Sequence, residues 1–134
     1  MKKWLYSLPL VLVLFTASSC TKNYNDIIPN TTIVVDAAAN QWIFDNTTGT
    51  YYISIDVGEL TTSTTQSDAV VVSMSRNQTL FEALPEVYNN TSFTYIYKAG
   101  TVLIEAQGVN GAAIQLPTSS VRFKITIIPA NTTR

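Results

Sequence analysis

From Thr31 onward, apolar residues recur at every second position in short runs rich in Val, Ile, Tyr and Thr, broken by Asn, Gly and Pro. That period belongs to strands, whose side chains alternate between two faces. In Thr50 to Val57 (TYYISIDV) it sets Tyr51, Ile53, Ile55 and Val57 on an inner face and Tyr52, Ser54 and Asp56 on an outer one. In Val121 to Ile128 (VRFKITII) it sets Val121, Phe123, Ile125 and Ile127 inward, with Arg122, Lys124 and Thr126 outward. One buried and one wet face per strand is the signature of antiparallel sheets.

Ser92 to Lys98 and Thr101 to Gln107 flank Ala99-Gly100, where a glycine lets the backbone take a positive φ and reverse, so a hairpin is expected there. Further strands are expected at about Thr32 to Asp36, Asp68 to Ser75 and Thr79 to Ala83, with Pro85 and Pro117 at breaks or sheet edges. Glu59 to Ser67 has room for one irregular helical turn, and Asp36 to Trp42 for another capped by Asp36. Short strands at regular spacing with no long amphipathic helix predict an all-β domain: an antiparallel two-sheet sandwich, immunoglobulin-like, with a small β-barrel as the alternative.

The first nineteen residues follow a different pattern. Lys2 and Lys3 precede an apolar run, Leu5 to Phe15, which ends in the small residues Thr16 to Ser19. This is the layout of a signal peptide, and the run falls well short of the roughly 20 residues that span a bilayer. The chain's single Cys follows directly. Ala17-Ser18-Ser19-Cys20 resembles the lipobox of bacterial lipoproteins, whose Cys is acylated after the signal is cut. Cys20 is therefore expected to carry the lipid that holds the chain on a membrane, and residues 20–31 to form a polar tether. The domain is expected to occupy residues 32–134. Thr21 is not the Asp that retains lipoproteins in the inner membrane, so an outer-membrane place in the cell envelope is expected, on either face.

Several landmarks keep a distinctive order: Trp42, YYISIDVGELT at Tyr51 to Thr61, DAVVVSM at Asp68 to Met74, ALPEVY at Ala83 to Tyr88, YIYKAGTVLIE at Tyr95 to Glu105, and FKITIIP at Phe123 to Pro129. In these the chain resembles a family of small uncharacterised Bacteroidetes lipoproteins, over about two thirds of its length. The resemblance implies a compact β-sandwich on a lipid anchor, and it carries no catalytic residue. Where family members often have Val-Pro, this chain has Val57-Gly58.

Composition narrows the chemistry. Of 134 residues only 13 % are charged, about half the usual share, and there is no His. Without Lys2 and Lys3, six basic side chains face nine acidic ones, a net charge of -3 from Cys20 onward. Such a surface offers nothing to a phosphate backbone, so no nucleic-acid partner is expected. With no His, and with Cys20 given to lipid, a Ser-His-Asp triad, a Cys-His dyad and a conventional zinc site cannot be assembled. No glycine-rich phosphate loop occurs, and no cofactor or metal is expected.

Two residue classes remain. The carboxylates Asp56 with Glu59, Glu82 with Glu86, and Asp36, Asp45 and Asp68 would serve a hydrolase only if two of them converged in a cleft. The aromatics Tyr52, Tyr88, Tyr95, Tyr97 and Trp42 exceed what a minimal core needs. Phe93, Tyr95 and Tyr97 share a face expected to be buried, and Trp42 is expected between the sheets, whereas Tyr52 is the ring expected in solvent. Tyr52, Tyr88 and Trp42 are the candidate ligand contacts. The Asn of the Asn-x-Ser/Thr triplets at Asn30, Asn46, Asn77, Asn89, Asn90 and Asn131 are expected in turns. The chain thus reads as a lipid-anchored envelope protein without enzymatic activity, an interaction or accessory module for an envelope protein or polysaccharide. The alternatives are a glycan-binding module and a small carboxylate-dependent hydrolase.

Overall fold

A computed structural model describes residues 28–130 of the chain. The expected signal peptide, Cys20 and most of the tether lie outside the described residues. The strands are β1 (Thr31–Ala37), β2 (Ile43–Asp45), β3 (Thr50–Asp56), β4 (Ala69–Ser75), β5 (Glu82–Ala83), β6 (Glu86–Tyr88), β7 (Thr91–Lys98), β8 (Thr101–Gly108) and β9 (Val121–Ile128). A six-residue helix, α1 (Thr62–Ser67), and two 3-10 turns complete them.

The strands form two antiparallel sheets, ordered β1-β9-β4-β5 and β2-β3-β8-β7-β6. Neither closes on itself, so the molecule is a β-sandwich and not a barrel. The first strand lies beside the last, with Thr31 opposite Ile127 and Ala37 opposite Val121. That order differs from the ABED and CFG sheets of immunoglobulin domains, so the likeness to them lies in the stacked layers and not in the connections.

The alternation read along the chain decides the core. Ile53, Ile55 and Val57 from β3 and its end face Val121, Phe123, Ile125 and Ile127 from β9, joined by Val72, Met74, Phe93, Val102 and Ile104. Leu60 plugs one end, where the Gly100 turn (φ 81°) accepts a hydrogen bond from Val57 N–H and donates one to Leu60 O. Tyr95 ties the layers together, its hydroxyl donating to Val70 O at 2.7 Å. Burial of this phenol pushes its pKa up.

Several local expectations are corrected. Asp36 caps no turn: it lies within β1 and pairs with Arg122 on the neighbouring β9, while Ala38 precedes the 3-10 turn Ala39–Gln41. The expected strand at Thr79 to Ala83 shrinks to Glu82–Ala83, because Asn77 Oδ1 accepts from the N–H groups of both Thr79 and Leu80 and turns the chain. Beta-2 and β6 were not expected at all. Asn89 (φ 48°) and Asn90 (φ 58°) do occupy the left-handed turn conformation that Asn tolerates. The expected turn after Glu59 is α1, whose first N–H groups are met by Thr61 Oγ1 accepting from Thr64 N–H.

Candidate functional site

Beta-4 ends at Ser75, and the next residue, Arg76, leaves the sheet with its guanidinium turned toward the β5–β6 crossing. Glu82 on β5 and Glu86 on β6 both meet it there. One guanidinium nitrogen, Nη1, donates to Glu82 Oε2, and the other, Nη2, donates to Glu86 Oε1 at 2.6 Å. A planar fork with donors on both arms is the geometry that lets Arg hold two carboxylates at once. The Glu86 side chain is only 14 % exposed. Burial pushes its carboxyl above the usual carboxylate range, against the pull of Arg76.

The guanidinium is also stacked. Its Cζ lies 4.1 Å from the centre of the Tyr88 ring and 5.2 Å from that of Phe93. Phe93 is fully buried and meets Trp42 edge-on, with ring centres 5.9 Å apart. Trp42, Phe93, Arg76 and Tyr88 thus form one continuous series of contacts from core to surface. Tyr88, at its outer end, is 46 % exposed. Arg76 lies over the ring, and about half of the residue is left to solvent.

Beside this stack lies a cavity of about 310 Å³, bounded by Arg76, Tyr88, Asn89, Phe93 and the segment from Gln115 to Ser119. The segment is held in place from below. Thr91, fully buried at the start of β7, accepts a hydrogen bond from Gln115 N–H at 2.8 Å, and Ile114 and Leu116 pack on the core. Upstream, Val109 N–H donates to Asn90 O. At Gly108 a Cβ would meet Ala112 O at 1.9 Å, so only glycine lets the chain fold back so tightly here. Among the described residues the side chains of Asn89, Gln115, Thr118 and Ser119 make no hydrogen bond within the protein.

The three candidate aromatics therefore separate. Trp42 is core, 7 % exposed, as expected. Tyr88 is the open ring at the cavity. Tyr52, expected to be the most exposed, is half-buried on the outer face of the five-stranded sheet, between Ile43 on β2 and Glu105 on β8. There it borders a broad, open hollow with Phe44, Asp45, Leu103 and Glu105. The stripe expected to be buried is graded instead: Phe93 is fully covered, Tyr95 partly, and Tyr97, near the end of β7, is 38 % exposed.

The pattern along the chain marks neither Arg76 nor the Gln115–Ser119 segment. The available signal was one arginine with glutamates six and ten residues downstream, a spacing that means nothing on a strand and acquires meaning only when the chain crosses between sheets. Of the acids, Glu82 and Glu86 converge, but on a cation and not on an open cleft. Among the described residues no group of three acidic side chains could hold a metal, and no helix is long and apolar enough to cross a membrane. No protein-family model, no curated protein and no solved structure matches the chain.

Proposed function

We infer that this is a lipid-anchored cell-envelope protein whose sandwich serves as a binding module and not as an enzyme. The observation that carries the reading is the succession Lys2-Lys3, Leu5 to Phe15, Thr16 to Ser19 and the lone Cys20. The resemblance to small Bacteroidetes lipoproteins points the same way, as does Thr21 for an outer-membrane place. Two or more acyl chains on Cys20 would give stable attachment, since each buried CH₂ contributes about 0.8 kcal/mol.

The non-enzymatic part rests on Arg76. Hydrolysis by paired carboxylates needs one acid free to donate a proton and another free to attack or to activate water. Glu82 and Glu86 both spend an oxygen on the same guanidinium. A second reading, a glycan-binding module, is favoured by the exposure of Tyr88, because an open aromatic face is what such a module requires.

Intact-mass spectrometry of the chain expressed in a lipoprotein-exporting bacterium tests the anchor. The expected result is cleavage before Cys20 with a diacylglycerol and an acyl group added. A free thiol or a retained Met1 would overturn it. Turnover of a glycoside or ester substrate by the purified protein would overturn the non-enzymatic reading.

A further inference from the structure

We propose that the cavity between Tyr88 and the Gln115–Ser119 segment binds a single sugar ring of a neutral glycan. The proposal rests on the reading of this domain as a binding module and names the ligand class and the residues that select it.

Three features of the site argue for a sugar. The first is Tyr88, a half-exposed ring on the cavity wall. A pyranose presents a face of C–H groups to an aromatic ring, and the guanidinium over this one helps to hold it in one orientation. The second is the set of unspent polar side chains. Asn89 and Gln115 supply amides and Thr118 and Ser119 supply hydroxyls, each able to donate and accept, which suits the hydroxyl rim of a sugar. The third is size. At about 310 Å³ the cavity sits at the lower end of the roughly 300–1,000 Å³ range of small-molecule sites, room for one ring with its chain continuing into solvent.

Charge then selects among sugars. Arg76 is the cation that borders the cavity, and it would ordinarily invite a uronate, a sulfate or a phosphate. Both its arms are already engaged by Glu82 and Glu86, so the three groups together carry a net negative charge. An anionic ligand would have to displace a carboxylate from the guanidinium and leave it unpaired beside a second one, which is unfavourable. The site therefore favours uncharged sugars. Arg76 serves as a positioning residue for Tyr88, not as a ligand contact.

The backbone around the site is set before any ligand arrives. Gln115 N–H is pinned by buried Thr91, and Gly108 permits the tight fold-back that precedes the segment. Little ordering would remain to oppose binding, so a weak single-ring contact can be measurable.

The test is calorimetric titration of the full chain in detergent with neutral hexasaccharides of glucose, mannose, xylose and N-acetylglucosamine, and with hexagalacturonate as the acidic control. At least one neutral hexasaccharide should bind in the micromolar to millimolar range, and hexagalacturonate should not. Tyr88→Ala should weaken that binding at least tenfold and Gln115→Ala several-fold, while Tyr52→Ala, in the other hollow, leaves it within twofold. Gln115 is exposed and its side chain makes no bond within the protein, so its replacement separates lost contact from lost folding. No binding by any neutral hexasaccharide, equal binding by Tyr88→Ala, loss on Tyr52→Ala, or tighter binding of the uronate would each overturn the proposal. If the neutral sugars fail while an envelope protein co-purifies with the chain, the sugar site falls and the binding-module reading stands.

Discussion

Among the described residues two cations lie over aromatic rings at nearly the same distance, and they differ in what holds them there. Lys124 Nζ sits 3.9 Å from the Phe81 ring centre on the outer face of the four-stranded sheet. Arg76 Cζ sits 4.1 Å from that of Tyr88. Among the described residues Lys124 has no carboxylate partner, whereas Arg76 is moored to two and rests on a buried phenylalanine. A compact, hydrated ammonium on a flexible stem is free to leave its ring; a guanidinium fixed on both arms is not. Separation alone therefore does not define a site. The Phe81 pair is surface decoration, and the Tyr88 pair is a rigid platform.

Removing the rings should separate the two pairs most sharply. Phe93→Ala opens a hole beneath Arg76 and beside Trp42, and it should cost about 3–5 kcal/mol in urea denaturation. Phe81→Ala, at a partly exposed position, should cost under about 1 kcal/mol. A large loss at Phe81 would erase the contrast.

Removing the cations comes next. Arg76→Ala strands the Glu86 carboxylate, and about 2–3 kcal/mol is expected, somewhat less than for a fully buried pair because Glu82 is half exposed. Lys124→Ala should change stability by no more than about 0.5 kcal/mol.

The pH profile sharpens the comparison further, since two arginine-paired carboxylates, Asp36 and Glu86, shift in opposite directions. Asp36 is held below the usual carboxylate range by its hydrogen bond from Arg122. Its contribution is present above its unfolded-state pKa and is lost as pH falls through the lower folded-state value. Glu86 is raised by burial, so the folded state holds its proton more tightly than the unfolded chain does. Its contribution to stability falls as pH rises from the ordinary carboxylate range through the raised folded-state value. Urea midpoints against pH should therefore lose slope just above the ordinary range in Glu86→Gln, and below it in Asp36→Asn. The smallest effect is that of salt: 1 M NaCl should screen the exposed Asp36–Arg122 pair more than the Arg76 cluster.

The elements legible from sequence are those long enough to show a period. Beta-3 and β9 carry seven or eight residues each, and their alternation marks the buried Ile53, Ile55, Val121, Phe123, Ile125 and Ile127, while Tyr51 is only half-buried. Beta-2 and β6 have three residues apiece, too few for alternation to register, and both lie at sheet edges where pairing defines them. Asp36 looked like a cap because its neighbours Ala37 to Ala39 favour helix, yet its partner Arg122 lies 86 residues away. The candidate site was partly legible. Tyr88 stands out as an aromatic beyond the needs of the core, but its cation, its floor and its facing segment come from three other stretches of chain that only the sandwich brings together.

The most direct test of the moored platform replaces the mooring and leaves the ring. Arg76→Lys keeps a cation near Tyr88 but cannot bond both glutamates with a planar fork. Against the neutral hexasaccharide that binds the unaltered chain, Arg76→Lys should lose several-fold in affinity with its fold retained by circular dichroism, and Lys124→Ala should lose nothing. Equal affinity in all three proteins would contradict the account.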